Sequence, residues 1–129
     1  MEILDLKKIL EIHFGNAFEF HPKFYEEFVD LVSKSGSENK IIKQFLRRLK
    51  AIQQLDNCDY GMKWLEHLKA YGNMYSLHLD ADGKNYRLLF SKNNKGKYFL
   101  RMFYEKSGKS ATSYAVNVPV AISRRDEKK

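Results

Sequence analysis

The chemistry that this sequence suggests is carried by basic and aromatic side chains between residues 74 and 114. The segment from Lys84 to Lys109 contains eight lysines and arginines but a single acid, Glu105. The eight are Lys84, Arg87, Lys92, Lys95, Lys97, Arg101, Lys106 and Lys109. Together with a net charge of +7 and a pI near 9.4, this density of cations favours a polyanionic partner such as a nucleic acid. The alternative is a basic protein that binds no anion specifically.

Sites for metals, disulfides and common cofactors find no support in the sequence. The single cysteine, Cys58, excludes an intramolecular disulfide and a cysteine-based zinc site. The glycine motifs that bind nucleotides and the serine motif of hydrolases do not occur. The adjacent acids Glu26 and Glu27 fit solvated surface better than a glycosidase pair. The histidines lack close spacing with acids or cysteine, so we expect neither a metal nor a cofactor; they are His13, His21, His67 and His78.

Three runs rich in aromatic and aliphatic residues predict a meander of antiparallel strands. The runs are Met74–Leu79, Asn85–Phe90 and Tyr98–Tyr104. They are separated by Asp80-Ala-Asp-Gly83 and Asn93-Asn-Lys-Gly96, and each turn ends on a glycine that can adopt a positive φ. The pattern predicts a sheet with one apolar face and one strongly cationic face.

An arginine on the middle strand interrupts an apolar pattern. Because side chains alternate across a strand, Arg87 faces away from Tyr86 and Leu88. A cationic side chain among apolar neighbours must reach either the rim of the sheet or a partner. The alternative is a structural arginine paired with an acid such as Asp80 or Asp82.

The N-terminal half predicts helices around one short strand. A first amphipathic helix is indicated by Ile3, Leu6, Ile9 and Leu10. Alternation from Leu10 to His21 on both sides of Gly15-Asn16 also matches a two-residue hairpin. We expect a strand over at least Ala17–Phe20 that pairs with the later sheet. The role of residues 1–16, an N-terminal extension, stays open.

A helical hairpin follows. Pro22 opens the first helix, Lys23–Lys34, and Ser35-Gly36-Ser37 ends it. Its apolar stripe consists of Phe24, Phe28, Leu31 and Val32. The second helix, capped by Ser37 or Asn39, has an apolar set consisting of Ile42, Phe45, Leu46, Leu49 and Ile52. Two such helices can cover one face of the sheet.

The remaining segments carry weaker signals. The connector Leu55–Tyr71 has apolar anchors at Met62, Leu65 and Leu68. In the tail, Pro119 forbids a regular helix through the whole segment Ser110–Lys129, so we expect at most a last helix over Val120–Glu127.

Together these elements predict an α+β fold in one domain spanning residues 1–129. Its small, twisted, mostly antiparallel sheet carries the helical hairpin on one face. No apolar run reaches about 18 residues and no signal-peptide pattern opens the chain. We therefore expect a cytoplasmic protein that makes no membrane contact.

The order of these motifs resembles the RelE/ParE toxin superfamily, and in particular its HigB-like branch. The resemblance covers roughly residues 18 to 125 and is most specific in the Tyr-Arg-Leu-Leu-Phe strand with its following basic turn. The matching segments are Lys63–Leu65, Tyr75–Leu79, Gly83–Phe90, Tyr104–Lys109 and Ala121–Arg124. It implies the toxin of a type II toxin–antitoxin pair, silenced by an antitoxin protein with a helix-turn-helix.

Most toxins of this superfamily cleave mRNA, usually on the ribosome and without a metal. The RNA 2′-hydroxyl attacks the adjacent phosphate, so the site must accept one proton, donate another and stabilise the extra charge. The resemblance thus implies an endoribonuclease whose partners are mRNA, the ribosome and the antitoxin.

The resemblance also implies roles for individual residues. Arg87 matches the strand arginine that contacts the scissile phosphate, and Lys106 and Lys109 fall near the basic turn. His78 lies where some members place a catalytic basic residue and could act as base or acid near neutral pH. Tyr114 lies near a tyrosine that some members use in catalysis.

Further residues complete the expected RNA-binding face. Lys84, Lys97 and Arg101 would neutralise phosphates, and Tyr104 or Tyr114 would stack on or orient a base. Ser76 departs from the superfamily pattern, which often has a second lysine there. Two alternatives therefore stay open: a ParE-like poison of DNA gyrase, and an RNA-binding or ribosome-binding module without catalysis.

Overall fold

The computed structural model describes residues 1–54, 61–106 and 109–127. It contains four α-helices and five strands, with a short 3₁₀ turn at Lys69–Tyr71. The helices are α1 Ile3–Phe14, α2 Pro22–Ser35, α3 Glu38–Gln53 and α4 Ser110–Asp126. The strands are β1 Phe18–Phe20, β2 Leu65–His67, β3 Met74–Ala81, β4 Lys84–Asn93 and β5 Gly96–Glu105.

The predicted meander is confirmed. The sheet order is β1-β5-β4-β3-β2, and every pairing is antiparallel except that of β1 with β5. Asp82 and Gly83 form the tight turn between β3 and β4 with φ angles of 52° and 81°. Positive φ at both central positions gives the type of turn whose twist matches that of a hairpin, which is why Asp-Gly occurs here. The α+β class predicted from the sequence is confirmed as well.

The helical hairpin covers one face of the sheet, also as predicted. His21 caps α2, since its Nδ1 accepts a hydrogen bond of 3.1 Å from the backbone N–H of Lys23. The core between the hairpin and the sheet contains completely buried Phe24, Phe28, Phe45 and Phe99. Rings from both layers pack together there, with centroids 5.6 Å apart for Phe24 of α2 and Phe99 of β5.

The hairpin predicted around Gly15-Asn16 is wrong. Residues up to Phe14 continue α1, because Leu6 and Leu10 bury one helical stripe in the same core as the two later helices. The strand predicted over Ala17–Phe20 exists as β1 and pairs with the sheet, in parallel with β5.

The second face of the sheet is not the continuous cationic surface that the sequence predicted. Helix α4 lies across it and buries an apolar cluster that includes Leu89, Leu100, Phe103, Val118 and Ala121. Apolar residues on this face of β4 and β5 therefore serve packing, and the cations between them are forced to the margins of α4 or into ion pairs.

Strands β3 and β5 extend beyond β2 and β1, the short strands at the two edges of the sheet. Side chains from the helices bind the backbone groups that are left without a partner strand. On β3, the backbone N–H of Asp80 donates to Gln44 Oε1 at 2.8 Å, and Arg48 donates to the carbonyl of His78. On β5, Glu27 and Arg124 bind the backbone in the same way. Unpaired backbone groups at a sheet edge need such partners.

Helix α4 continues through Pro119, so the predicted interruption is wrong. The ring lies on the exposed side of the helix, whereas its neighbour Val118 is completely buried. Burial of the inner stripe outweighs the hydrogen bond that proline cannot donate to the carbonyl of Ala115. Tertiary packing thus overrides a local helix breaker.

We expect the substitution Pro119→Ala to raise the free energy of unfolding by about 1–3 kcal/mol. Restoring a helical N–H removes most of the roughly 3 kcal/mol cost of an interior proline, less the benefit of a stiffer unfolded chain. Urea unfolding measures the change. Val116→Ala, at another exposed position of α4, is the matched control and should shift stability by at most about 0.5 kcal/mol. Equal effects of the two substitutions would contradict this interpretation.

No helix within the described ranges is long and apolar enough to cross a membrane.

Candidate functional site

Three of the predicted site residues meet on the face of the sheet beside α4. His78 on β3 lies directly opposite Arg87 on β4 in the strand register. Tyr114, in the second turn of α4, places its hydroxyl 3.5 Å from His78 Nε2 and 2.8 Å from Ser76 Oγ. Its ring packs edge-on against Phe103, which fixes the phenol over the sheet. The fold therefore joins residues from two strands and the C-terminal helix.

Arg87 is an ion-paired residue in this structure. Its Nε donates to Glu105 Oε2 at 2.7 Å, and its Nη1 donates to the carbonyl of Tyr86 at 3.2 Å. Both partner side chains are largely buried, with 14% and 12% of their surfaces exposed for Arg87 and Glu105. Pairing with an acid was foreseen from the sequence, but Glu105 takes the place of Asp80 or Asp82. A ligand phosphate would meet Arg87 together with its carboxylate partner.

A pocket of about 240 Å³ opens beside His78 and Arg87, at the start of β2, where β3 continues without a partner strand on that side. Its lining includes Arg48 from α3, Lys63 and Trp64 from the approach to β2, and Asp80 and Asn85 from the hairpin of β3 and β4. Three cations against one carboxylate make the pocket electropositive. No sequence pattern predicted that Arg48, Trp64 and Asn85 would lie together.

His78 is neutral at physiological pH, which corrects the prediction that it could act as either base or acid there. Burial lowers the pKa of His78 to about 4, and the neighbouring guanidiniums of Arg87 and Arg48 act in the same direction, opposed by Asp80. A neutral imidazole accepts a proton but has none of imidazolium's acidity to donate. Glu66 Oε1, 3.6 Å from Nε2, would stabilise the charge formed on protonation.

This burial predicts acid sensitivity of the fold. Between pH 6.5 and 4, the unfolded chain protonates His78 while the folded chain does not, so stability is present above this window and is lost as pH falls through it. We expect a contribution of about 1–2 kcal/mol, because residual solvent exposure of the imidazole reduces the full linkage value. Urea unfolding of the wild type and of His78→Gln across this window isolates the effect. A constant difference in stability between the two proteins would contradict it.

Tyr114 remains protonated under the same conditions. Burial raises the pKa of Tyr114 to about 12, and the hydrogen bond with Ser76 only partly offsets this. The phenol is therefore a neutral donor next to a neutral imidazole. Ser76, which departs from the superfamily pattern of the resemblance, is completely buried and holds the tyrosine hydroxyl in place.

Lys106 and Lys109 lie at the edge of this cluster. Lys106 follows β5 directly after Glu105, and Lys109 precedes α4, with its backbone N–H bound to the carbonyl of Lys106 at 3.0 Å. Both side chains are exposed, and neither forms a hydrogen bond or an ion pair with the residues that the structure describes. They are available to an incoming anion.

The four residues predicted to complete the RNA-binding face are not brought to this cluster. Lys84 lies on the side of the helical hairpin, where its Nζ donates to the carbonyl of Ser35 at 3.0 Å. Tyr104 is on that side as well, edge-on to Tyr86. Lys97 lies by the turn between β4 and β5, roughly 16 Å from Arg87 at about 3.3 Å per strand residue. Arg101 forms its hydrogen bonds with Glu27 and Asn117, away from this cluster.

Arg101 belongs to a structural ion cluster centred on Glu27. The Glu27 carboxylate accepts hydrogen bonds from Arg101, from Arg124 at 2.7 and 2.9 Å, and from the backbone N–H of Met102 at 3.1 Å. The interpretation of Glu27 as solvated surface is therefore wrong. Its place one residue before Phe28, on the flank of the apolar stripe of α2, was the available signal.

Within the described ranges, no group of three or more histidine, cysteine, aspartate or glutamate side chains could hold a metal ion.

Comparison with known proteins gives no family. Neither family models, nor curated proteins, nor solved structures match this chain. The geometry of the site is therefore what indicates its chemistry. A neutral, partly buried base, a neutral phenol and several cations around a small pocket suit the transfer of protons at an anionic centre.

Proposed function

We propose that this protein is a metal-independent endoribonuclease acting at the pocket beside His78 and Arg87. The observation that carries the proposal is the direct pairing of His78 with Arg87 across β3 and β4, with the Tyr114 hydroxyl 3.5 Å from the imidazole. Cleavage by an internal 2′-hydroxyl requires a base, a proton donor and stabilisation of a phosphorane. These three residues and the neighbouring cations can supply all of them.

In the proposed reaction His78 accepts the proton of the 2′-hydroxyl. The 2′-oxygen bonds to the adjacent phosphorus, the bond to the 5′-oxygen breaks, and the products are a 2′,3′-cyclic phosphate and a 5′-hydroxyl. Tyr114 donates a hydrogen bond, and then a proton, to the departing 5′-oxygen. Glu66 offsets the charge on the protonated His78 at their separation of 3.6 Å. Because the pKa of His78 is only about 4, a bound phosphate that raises it would make His78 a stronger base.

The cations bind the phosphate and stabilise the charge of the phosphorane. Arg48, Lys63 and Arg87 line the pocket, and both Lys106 and Lys109 lie close to the Glu105 end of β5. The Glu105 carboxylate reduces the positive field of Arg87 at the phosphate. Its ion pair with Arg87 also fixes the guanidinium, and we expect this positioning for the ligand to be its contribution. This makes Arg87 a phosphate-binding residue and Glu105 a positioning residue.

The biological setting follows from the resemblance and is part of the same proposal. The enzyme would be the toxin of a type II toxin–antitoxin pair, acting on mRNA on the ribosome. A co-encoded antitoxin with a helix-turn-helix would silence it by covering the basic pocket. A net charge of +7 supports both an RNA substrate and an acidic inhibitor segment.

A binding module without catalysis is the second candidate. The observation that favours it is the closed ion pair of Arg87 with Glu105, because both side chains are already satisfied without a ligand. Such a protein would bind RNA with a steep salt dependence and leave it intact. A gyrase poison has no observation of this structure in its favour.

Induced expression in bacteria tests the proposed function. We expect the wild type to arrest growth and to generate new mRNA 5′ ends, and we expect both effects to disappear in Arg87→Ala. Arg125→Ala, at the far end of α4, is the matched control and should retain both. Because Arg87→Ala leaves Glu105 unpaired, the folded fraction of each variant is checked by circular dichroism. Arrest without new RNA ends would reject the nuclease, and full activity of a folded Arg87→Ala would reject the site.

A further inference from the structure

The only tryptophan of the chain lines the pocket beside the proposed catalytic residues. Trp64 directly precedes β2, and its carbonyl accepts a hydrogen bond of 2.7 Å from the backbone N–H of His78. The guanidinium of Arg48 lies over the indole, 5.3 Å from the ring centroid. Backbone pairing and a cation–π contact thus hold the ring in a fixed place next to His78.

Part of this indole serves the core and part of it serves the pocket. The ring packs against the edge of the core that the helical hairpin covers, yet the side chain remains only half-buried. Here its uncovered surface forms one wall of an electropositive pocket.

Two polar side chains stand at the same pocket. Asp80 and Asn85 are paired in the register of β3 and β4; Asp80 lies two residues after His78, and Asn85 lies two residues before Arg87. Gln44 holds Asp80 through both its backbone N–H and its carboxylate Oδ1, at 2.8 and 3.1 Å. The amide of Asn85 makes no hydrogen bond to any residue that the structure describes, although it is half-buried.

These groups correspond to the separate needs of one nucleotide. Cations bind a phosphate, an indole face stacks on a base, and an amide with a carboxylate can bind the edge of that base. The pocket of about 240 Å³ is smaller than the roughly 300–1,000 Å³ of sites for drug-sized ligands, so it accepts one residue of a polymer. A site for a bare phosphate would need neither the indole nor the amide.

We propose that Trp64, Asn85 and Asp80 form a subsite for one unpaired nucleobase that carries an exocyclic amino group. The base stacks on Trp64 and its amino group donates to the carboxylate of Asp80. Asn85 binds the same edge, and its amide suits adenine, with which it can form two hydrogen bonds. The subsite adds base recognition to the proposed nuclease. That the bound polymer is RNA rests on the proposed function. Asn85 and Asp80 would thereby set which base lies next to the scissile phosphate at Arg87, and Trp64 would hold that base by stacking.

Intrinsic fluorescence tests this directly, because Trp64 is the sole tryptophan. The probes are trideoxynucleotides, which lack the attacking 2′-hydroxyl: one of adenine, one of uracil and one abasic. We expect saturable quenching by the adenine probe, weaker binding of the uracil probe by about tenfold, and no quenching by the abasic probe. Two results would overturn the subsite: equal quenching by the adenine and abasic probes, or no quenching by the adenine probe at saturation.

Two variants separate base binding from phosphate binding. In Asn85→Leu, we expect the preference for adenine over uracil to fall to about twofold while the quenching persists. In Trp64→Leu, calorimetry should show about 5- to 150-fold weaker binding of the adenine probe, and unchanged binding of the abasic probe. Unchanged binding of the adenine probe by folded Trp64→Leu would reject the stacking role.

Different experimental results would reject the subsite and the nuclease function. Quenching by adenine without any cleavage of RNA would reject the nuclease and support the subsite. Cleavage of RNA that is indifferent to the base beside the cut, and that leaves the fluorescence of Trp64 unchanged, would reject the subsite and support the nuclease.

Discussion

The substitution His78→Gln is expected to lower the rate of RNA cleavage by about 10²- to 10⁴-fold, the usual contribution of a general base. Glutamine keeps a neutral polar side chain opposite Arg87 but cannot accept the proton of the 2′-hydroxyl. Because the imidazole is already neutral, the substitution removes no charge from the pocket, and RNA should bind as tightly as before. Single-turnover cleavage of a short RNA and a binding titration give the two values separately.

His13→Gln is the matched control for that experiment. His13 is exposed in the last turn of α1 and contacts no residue of the pocket, so its substitution should leave cleavage unchanged. If His78→Gln weakened binding and cleavage by the same factor, His78 would be a binding residue. If it changed neither, the proposed base would be wrong.

The substitution Glu27→Gln is expected to lower the free energy of unfolding by about 3–5 kcal/mol, as found when one partner of a buried ion pair is removed. Glu27 is the sole acid that contacts Arg101 and Arg124 among the described residues, and it also closes the β5 edge at Met102. Glutamine would leave two guanidiniums without a counter-charge. Its N–H₂ group would also face the N–H donors of these guanidiniums, where the carboxylate had accepted their hydrogen bonds. Such a loss is a large share of the 5–15 kcal/mol that stabilises a typical domain.

Glu26→Gln provides the control one position earlier on the same helix. Glu26 is exposed and makes no hydrogen bond or ion pair within the described part of the chain, so we expect a change below about 0.5 kcal/mol. Urea unfolding of both variants decides the matter. Similar small effects at both positions would show that the Glu27 cluster contributes specificity of packing without net stability.

The strands and the helical hairpin follow from local patterns, and these were predictable. Alternation along β4 and the Asp82-Gly83 turn leave little choice of structure, and burial of Phe24 and Phe28 fixes the face of α2. The errors at Gly15 and Pro119 have one cause. In both places a local turn or breaker signal was outweighed by a buried helical stripe, which only the tertiary structure shows.

The candidate site was predictable only in part, because the partners of charged residues are set by long-range packing. Arg87 and Arg101 look alike in sequence, since each interrupts an apolar strand. Glu105, 18 residues away, makes Arg87 part of the pocket, whereas Glu27, 74 residues away, takes Arg101 out of it. No spacing rule connects such residues. For the same reason, Trp64 and Asn85 became candidates only when the structure placed the start of β2 beside the hairpin of β3 and β4.

The most direct test of the proposed chemistry is cleavage of a defined RNA by the purified protein in the presence of EDTA. One RNA carries a ribose at every position, and a second replaces the ribose at the mapped cut with 2′-deoxyribose. The proposed mechanism predicts a 2′,3′-cyclic phosphate and a 5′-hydroxyl from the first RNA, and no cleavage at that position of the second. Cleavage of both RNAs at the same position would contradict it, because attack by the neighbouring 2′-hydroxyl would then be unnecessary.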